Sequence, residues 1–386
     1  MSTFNKRTLA IAVALSTAGV AHAAFEEVTT DNPFDAITST GSNPSLVMMD
    51  LDADGDLDAV IFHQYPYESY PYNYGSASVW ENTGTSSAPS FTHVRDNADT
   101  AYGTGENITE NPFSAAYQNY YGHPVTAADL DGDNDLDFFG GQRCANSGDQ
   151  LSYSEVASDG YGVVTGLTQY VSIFSGYGSN PFYGTGLAPS AASYGCGQVA
   201  FAAGDLTNEG DADIVATDMA VLRYYSNDSA NATDVHQTMT ELSGVNNPFY
   251  GTDGSALNLT GPYYGAPITL HDVDGDGDKD LVMGTVAAAD MRLFINTGSA
   301  STPDFEEVSS DLNVATAGWA APTFADVDGD GDDDLIVAEV NGSDQQSLRL
   351  FLQRPDGSDS DEGPFGGTGI GAMLVGALAM LRRRRR

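Results

Sequence analysis

Five short segments of this chain hold so many carboxylates at so regular a spacing that any fold must be built around them. Acidic residues occupy alternate positions in loop one (Asp50, Asp52, Asp54, Asp56, Asp58) and loop two (Asp129, Asp131, Asp133, Asp135, Asp137). The pattern returns in loop four (Asp272, Asp274, Asp276, Asp278, Asp280) and loop five (Asp326, Asp328, Asp330, Asp332, Asp334). Loop three departs from it, with Thr207 and Glu209 between Asp205 and the pair Asp211 and Asp213. Successive loops start 79, 76, 67 and 54 residues apart. Position 6 is Gly55, Gly210, Gly277 or Gly331, and Asn134 in loop two, which suits a turn with positive φ. An apolar run such as 59–62, 281–283 or 335–337 follows directly. Five carboxylates within nine residues repel one another strongly, and a divalent cation is the economical way to hold them together.

Other signals repeat in step with the loops. An Asn-Thr-Gly turn closes an apolar run at Asn82-Thr83-Gly84 and again at Asn296-Thr297-Gly298. A proline (Pro44, Pro124, Pro267, Pro322) stands four to six residues before four of the five loops. Each unit therefore reads as four short strands, with the acidic loop between the first two. Five such units predict an all-β fold, a β-propeller of five four-stranded blades spanning residues 24–354. The fifth unit ends near Gln353 without a fourth strand. Phe25-Glu26-Glu27-Val28 is identical to Phe305-Glu306-Glu307-Val308 of the fourth unit. The N-terminal strand is thus expected to complete the last blade and remove an exposed edge. A larger ring with degenerate blades is the alternative.

Calcium takes six to eight oxygen ligands, and curling the loop would converge positions 1, 3, 5 and 9 on one ion, with the carbonyl of position 7. An EF-hand is excluded, because position 12 is Ile61, Gly140, Met283 or Val337 rather than glutamate, and strands follow. The pattern D-x-D-x-D-G-x-x-D running into a strand resembles the FG-GAP/VCBS repeat of integrin α-subunit propellers. The resemblance implies four calcium sites in loops one, two, four and five, with residues Asp56, Asp135, Asp278 and Asp332 giving carbonyls. It leaves loop three weak or empty (Asp205, Thr207, Glu209, Asp213). Magnesium, which keeps several waters, fits this many carboxylates less well.

Charge and the chain ends bear on location and partners. The chain has 54 acidic and 14 basic residues, so nothing in it would displace the counterions of a nucleic acid. Residues 1–23, with Lys6-Arg7, an apolar run and Ala21-His22-Ala23, read as a signal peptide. Export would let Cys144 and Cys196 form a disulfide, closing a loop for roughly 4 kcal/mol; two unpaired thiols are the alternative. Residues 355–365 read as an acidic spacer. Residues 366–386 hold Gly366-Gly367, an apolar stretch and five arginines, and resemble the GlyGly-CTERM sorting tails of Gram-negative bacteria. That implies transient membrane contact and a protein that ends up secreted or on the outer cell surface, with a permanent anchor as the alternative; a monomer is expected.

The propeller reading puts the acidic loops on one face and the Tyr-rich connections on the other. Tyr65, Tyr67, Tyr70, Tyr72 and Tyr74 fall in the first unit's loop between strands two and three, and Tyr120, Tyr121, Tyr263 and Tyr264 between units. Rigid aromatic rings among Gly, Ser and Asn make a paratope-like surface, suited to a glycan or a surface protein. The same rings could equally pack the loops together. An enzyme acting on polysaccharide is a second reading, with His63, His123, His271, Arg95, Arg143 and Arg223 as candidates, but no pair is spaced to meet and no catalytic residue is assigned. A purely structural surface module is the third.

Overall fold

A computed structural model of the protein describes residues 24–37, 42–65, 74–96, 113, 124–129, 136–142, 150–158, 163–172, 199–210, 212–218, 221–227, 239–250, 259–263, 265–299, 301–308, 312–340 and 346–354. The proposed signal peptide, acidic spacer and sorting tail lie outside these residues, as do Cys144 and Cys196. Among the described residues, no helix is long and apolar enough to cross a membrane.

The chain opens with β1 (Ala24–Glu27) and then lays down sheets of four consecutive antiparallel strands. The first holds β2 (Ser42–Met49), β3 (Asp58–Tyr65), β4 (Tyr74–Asn82) and β5 (Phe91–Asp96). The second holds β6 (Val125–Ala128), β7 (Asp137–Gln142), β8 (Gln150–Ser158) and β9 (Val164–Ser172). The third holds β10 (Val199–Gly204), β11 (Asp213–Asp218), β12 (Val221–Asn227) and β13 (Met239–Leu242). In the fourth, β14 (Ile268–His271) and β15 (Asp280–Met283) are followed by two short strands, β16 (Thr285–Val286) and β17 (Ala289–Asp290), before β18 (Arg292–Asn296) and β19 (Phe305–Glu307) complete the sheet.

The fifth sheet closes the array. After β20 (Ala315–Thr316), which pairs with β17, come β21 (Trp319–Ala325), β22 (Asp334–Val340) and β23 (Gln346–Arg354). Its outer strand is β1, paired antiparallel to β23 from Ala24↔Arg354 to Glu27↔Phe351. The expected exchange between chain ends is therefore present. Glu27 forks onto Arg349 at 2.7 and 2.9 Å, as Glu307 forks onto Arg292 at 2.9 and 2.6 Å in the fourth sheet. The repeated Phe-Glu-Glu-Val thus does the same job twice, once within a continuous sheet and once across the seam.

The innermost strands β2, β6, β10, β14 and β21 each touch two of the others and form a closed ring. Each sheet therefore has two neighbours in the ring, and among the described residues the second strands of the first, fourth and fifth sheets are buried on both faces. Ile61 packs towards the fifth sheet, while Val60 and Phe62 pack towards the second. Likewise Leu281 and Met283 face the third sheet and Val282 the fifth. This explains why the runs after the acidic loops are continuously apolar rather than alternating. Pro44 and Pro322 lie in β2 and β21, and Pro124 and Pro267 immediately precede β6 and β14, at the edge strands of the sheets where a missing N–H costs least. Pro124, Pro267 and Pro322 line a central cavity of about 240 Å³. Side chains stitch neighbouring sheets, with Thr126 donating to the Phe201 carbonyl at 2.7 Å and Thr323 to that of Leu46 at 2.8 Å.

Candidate metal centres

Each acidic loop joins the first two strands of its sheet, so the loops share one face, as expected. Their backbones repeat closely. Position 6 has positive φ throughout the described loops: Gly55 at 96°, Gly210 at 95°, Gly277 at 98° and Gly331 at 97°. Position 4 does too, at Ala53 (63°), Asn208 (55°), Gly275 (76°) and Gly329 (74°). Sequence reasoning caught the first turn and missed the second, although glycine or asparagine at position 4 in four of the five loops was its signal.

The position 1 aspartate organises the curl. Asp50 accepts from Ala53 and Gly55 N–H at 2.7 and 3.1 Å, Asp272 from Gly275 and Gly277 at 2.8 and 2.9 Å, and Asp326 from Gly329 and Gly331 at 2.8 and 3.1 Å. Position 3 accepts from position 5, as Asp274 does from Asp276 N–H at 3.2 Å, and position 5 from position 7, as Asp330 does from Asp332 at 3.0 Å. These bonds aim the carboxylates at one point. Oxygens of Asp50, Asp52 and Asp58 lie within 4.8 Å of one another, as do those of Asp272, Asp274 and Asp276, and those of Asp326, Asp328 and Asp334. Three hard oxygens converging beside a fourth acid fit a calcium ion, whose remaining ligands would be carbonyls and water.

Position 9 has a second role that the sequence did not disclose. Asp58, Asp213, Asp280 and Asp334 are all buried. One oxygen of each accepts the N–H of loop position 2, and the other accepts an N–H at the end of the third strand. The pairs are Leu51 and Asn82 (2.9 and 2.7 Å), Leu206 and Asn227 (3.0 and 2.9 Å), Val273 and Asn296 (2.8 and 2.8 Å), and Val327 and Gln353 (3.1 and 2.9 Å). Burial pushes the Asp58 and Asp213 carboxyls up to about 6 and those of Asp280 and Asp334 to about 7, against the pull of the two N–H donors. The asparagine ending the third strand then builds the next turn. Asn82 Oδ1 accepts from Gly84 and Ser90 N–H at 3.0 and 2.9 Å, and Asn296 Oδ1 from Gly298 and Asp304 at 3.2 and 3.0 Å. A Cβ on Gly84 would run into the Ala88 carbonyl oxygen, so the Asn-Thr-Gly signal is steric as well as conformational.

Loop three keeps the backbone with Thr207 and Glu209 in place of the aspartates at positions 3 and 5. Asp205 accepts from Thr207, Glu209 and Gly210 N–H at 3.2, 3.2 and 2.8 Å, and Asp213 is placed like its counterparts. No carboxylate triad forms there among the described residues. In loop two, Asp129 and Asp137 flank the turn and Asp137 is buried, whereas Asp131, Asp133 and Asp135 lie outside the described residues, as does Asp211.

The expected ligand face is described at its margins. Tyr65 and Tyr74 form the last rung of the β3–β4 ladder, below a connection outside the described residues that holds Tyr67, Tyr70 and Tyr72. Tyr120, Tyr121 and Tyr264 also lie outside. Tyr263 is engaged within the chain: its hydroxyl donates to the Asp290 carbonyl at 2.8 Å, and the Arg292 guanidinium lies 5.0 Å from its ring centre. Of the residues weighed for catalysis, His63, Arg223 and His271 belong to three different sheets. Arg223 pairs with Glu241 at 2.8 Å. His271 stacks on Phe324 with centroids 4.2 Å apart, and burial holds its imidazole down at about 4. The Arg95 side chain, His123 and Arg143 lie outside the described residues.

A family model described as an FG-GAP-like repeat matches residues 272–337, which contain loops four and five. Integrin alpha-4 of Xenopus laevis is 28% identical over 161 residues, covering 32% of this chain and 16% of the integrin. The match thus spans about a sixth of that relative's length. Three solved structures overlap at low similarity. The Photorhabdus luminescens Tc holotoxin pore aligns at a TM-score of 0.36 and 13% identity, over 86% of this chain and 14% of that one. An Agrocybe aegerita lectin solved with regard to recognition of non-reducing terminal N-acetylglucosamine aligns at 0.36 and 14%, over 81% and 80%. The V. cholerae biofilm matrix protein Bap1 aligns at 0.25 and 10%, over 83% and 70%.

Proposed function

We propose that the protein is a calcium-loaded binding and adhesion module, exported from a Gram-negative cell, which holds its ligand on the face opposite the metals. The observation that carries this reading is a convergent carboxylate triad at the same turn in three loops, from positions 1, 3 and 9 in loops one and five and from positions 1, 3 and 5 in loop four. Calcium would occupy loops one, two, four and five and bind weakly or not at all in loop three. The ion neutralises charge that the folded loops concentrate, so binding adds to folding stability. The match to an integrin α-chain and to the FG-GAP-like repeat supports a role in adhesion rather than catalysis.

On this reading the ligand is a glycan or a surface protein that stacks on the tyrosine-rich connections, and the C-terminal tail directs sorting at the membrane. A second reading, a structural module with no ligand, is favoured by one observation: Tyr263 spends its hydroxyl and ring on its own chain. The test is a binding screen of residues 24–354 against glycans and cell-surface proteins, in calcium and in EGTA. Binding that EGTA abolishes, and that a shortened 66–73 connection loses while the melting temperature holds, supports the adhesion module. The reading fails if no glycan or protein is retained at micromolar concentration, or if elemental analysis finds no calcium.

A further inference from the structure

One carboxylate in the acidic loops is placed unlike its counterparts. Asp56, at position 7 of loop one, is 9% exposed, whereas Asp278 and Asp332 at the same position of loops four and five are only half-buried. Its Oδ1 is fully buried and has no hydrogen-bond partner. Asp56 is also outside the triad of Asp50, Asp52 and Asp58 that converges in its own loop.

The cause lies at the seam where the first and fifth sheets meet. Loop five presses on the turn between β4 and β5 of the first sheet: a Cβ added to Gly329 would sit 3.1 Å from the Ser86 carbonyl oxygen. Between them lies a cavity of about 160 Å³. Asp56, Asn82, Ser86 and Asp326 are among its polar lining residues, and Met48 and Phe91 among its apolar ones. No lysine, arginine or histidine lines it. A carboxylate oxygen removed from water with neither a donor nor a cation facing it is strongly unfavourable. The volume is well above the roughly 10–15 Å³ that one water needs, so an ion with several waters fits.

We propose that this cavity is a further calcium site, separate from the loop centres, in which a partly hydrated ion bridges Asp56 of loop one to Asp326 of loop five. Calcium suits it because the ion accepts irregular sets of carboxylate, carbonyl and water oxygens. The bridge ties the first sheet to the fifth, the sheet that the N-terminal strand completes.

The experiment locates ions directly. Crystals of the full mature chain grown in calcium and soaked in terbium should show an anomalous peak between Asp56 and Asp326, in addition to peaks in the loops. Water alone at that place overturns the proposal. Peaks in the loops are read separately, so failure here leaves the loop centres standing, and failure there leaves this site standing. Calcium counting on reloaded protein gives the second arm: Asp56→Asn should bind one equivalent fewer than the parent, and Asp290→Asn, which removes a carboxylate outside every acidic loop, the same number. The proposal is overturned if Asp56→Asn keeps the full number, or if both variants lose an equivalent. Should Asp56→Asn fail to fold, the anomalous map of the parent decides.

Discussion

Loop three and loop five offer a controlled pair for separating what the position 9 aspartate does as a hydrogen-bond acceptor from what it does for a cation. Both Asp213 and Asp334 hold two backbone N–H groups, but only Asp334 sits in a carboxylate triad. Replacing either by alanine orphans two N–H groups, at about 1–3 kcal/mol each, or about 2–6 kcal/mol together. Removing a buried charge returns part of this. Burial moves Asp213 from 3.8 to about 6, so keeping it ionised at pH 7 costs about 3 kcal/mol. The net effect of Asp213→Ala then lies between a gain of about 1 kcal/mol and a loss of about 3 kcal/mol. Asp334, raised to about 7, returns about 4 kcal/mol when no cation is present, which leaves Asp334→Ala close to neutral in EGTA. With calcium bound the charge is already compensated, nothing is returned, and the full 2–6 kcal/mol is lost together with the ion's own contribution. At about 2.1 cal/mol/K per residue over residues 24–354, this is a Tm drop of roughly 3–9 °C or more. Calorimetric scans of both variants in calcium and in EGTA measure it. Equal losses for the two variants in calcium would falsify the assignment of Asp334 to a metal centre.

Three further outcomes follow from the same geometry. Gly331→Ala places a Cβ in open space but at φ 97°, so it should cost about 1–2 kcal/mol from backbone conformation alone, read as a shift in urea midpoint; an unchanged midpoint refutes the required turn. Glu27 is held below its ordinary 4.5, chiefly by hydrogen bonds from Arg349. The stability this pair adds is present above that pH and lost as pH falls through the lowered value, so Glu27→Gln should flatten the acid limb of Tm against pH. Hydrogen exchange on adding EGTA should rise first at Phe25, Glu27 and Gln353, because Gln353 N–H bonds to Asp334 and its residue pairs with Phe25; uniform exchange across all sheets contradicts this.

Much of the architecture could be read in advance because it is written locally and repeatedly. The acidic loops mark the turn between first and second strands, the apolar runs mark strands buried on both faces, and Phe25-Glu26-Glu27-Val28 names its own place by matching Phe305-Glu306-Glu307-Val308. What stayed hidden depends on register between strands far apart in sequence. Nothing local says that Asp58 reaches the N–H of Asn82, 24 residues away. Nor does it say that Arg223, Arg292 and Arg349 each clamp a glutamate on the neighbouring strand. The same holds for β16, which leaves the fourth sheet's connection to pair with β21 at Trp319 and Ala320. The burial of Asp56 was invisible for a related reason, since it comes from contact between the first and last sheets of the ring.

The position 9 carboxylate explains why an acidic loop recurs even where its triad is broken. It joins the loop, at position 2, to the end of the third strand, so one side chain sets the relation of three of the four strands in a sheet. That function needs an acid at position 9 and one at position 1, and loop three keeps both as Asp213 and Asp205 while positions 3 and 5 have drifted. On the proposed reading a cation would add to this scaffold by compensating the charge that burial makes costly. Structural need then accounts for positions 1, 4, 6 and 9 even without an ion, and the acids at positions 3 and 5 would be kept for the ion, which in loops one and five would also take the position 9 carboxylate. A loop carrying only the first set should fold in either buffer, and a loop carrying both should depend on calcium.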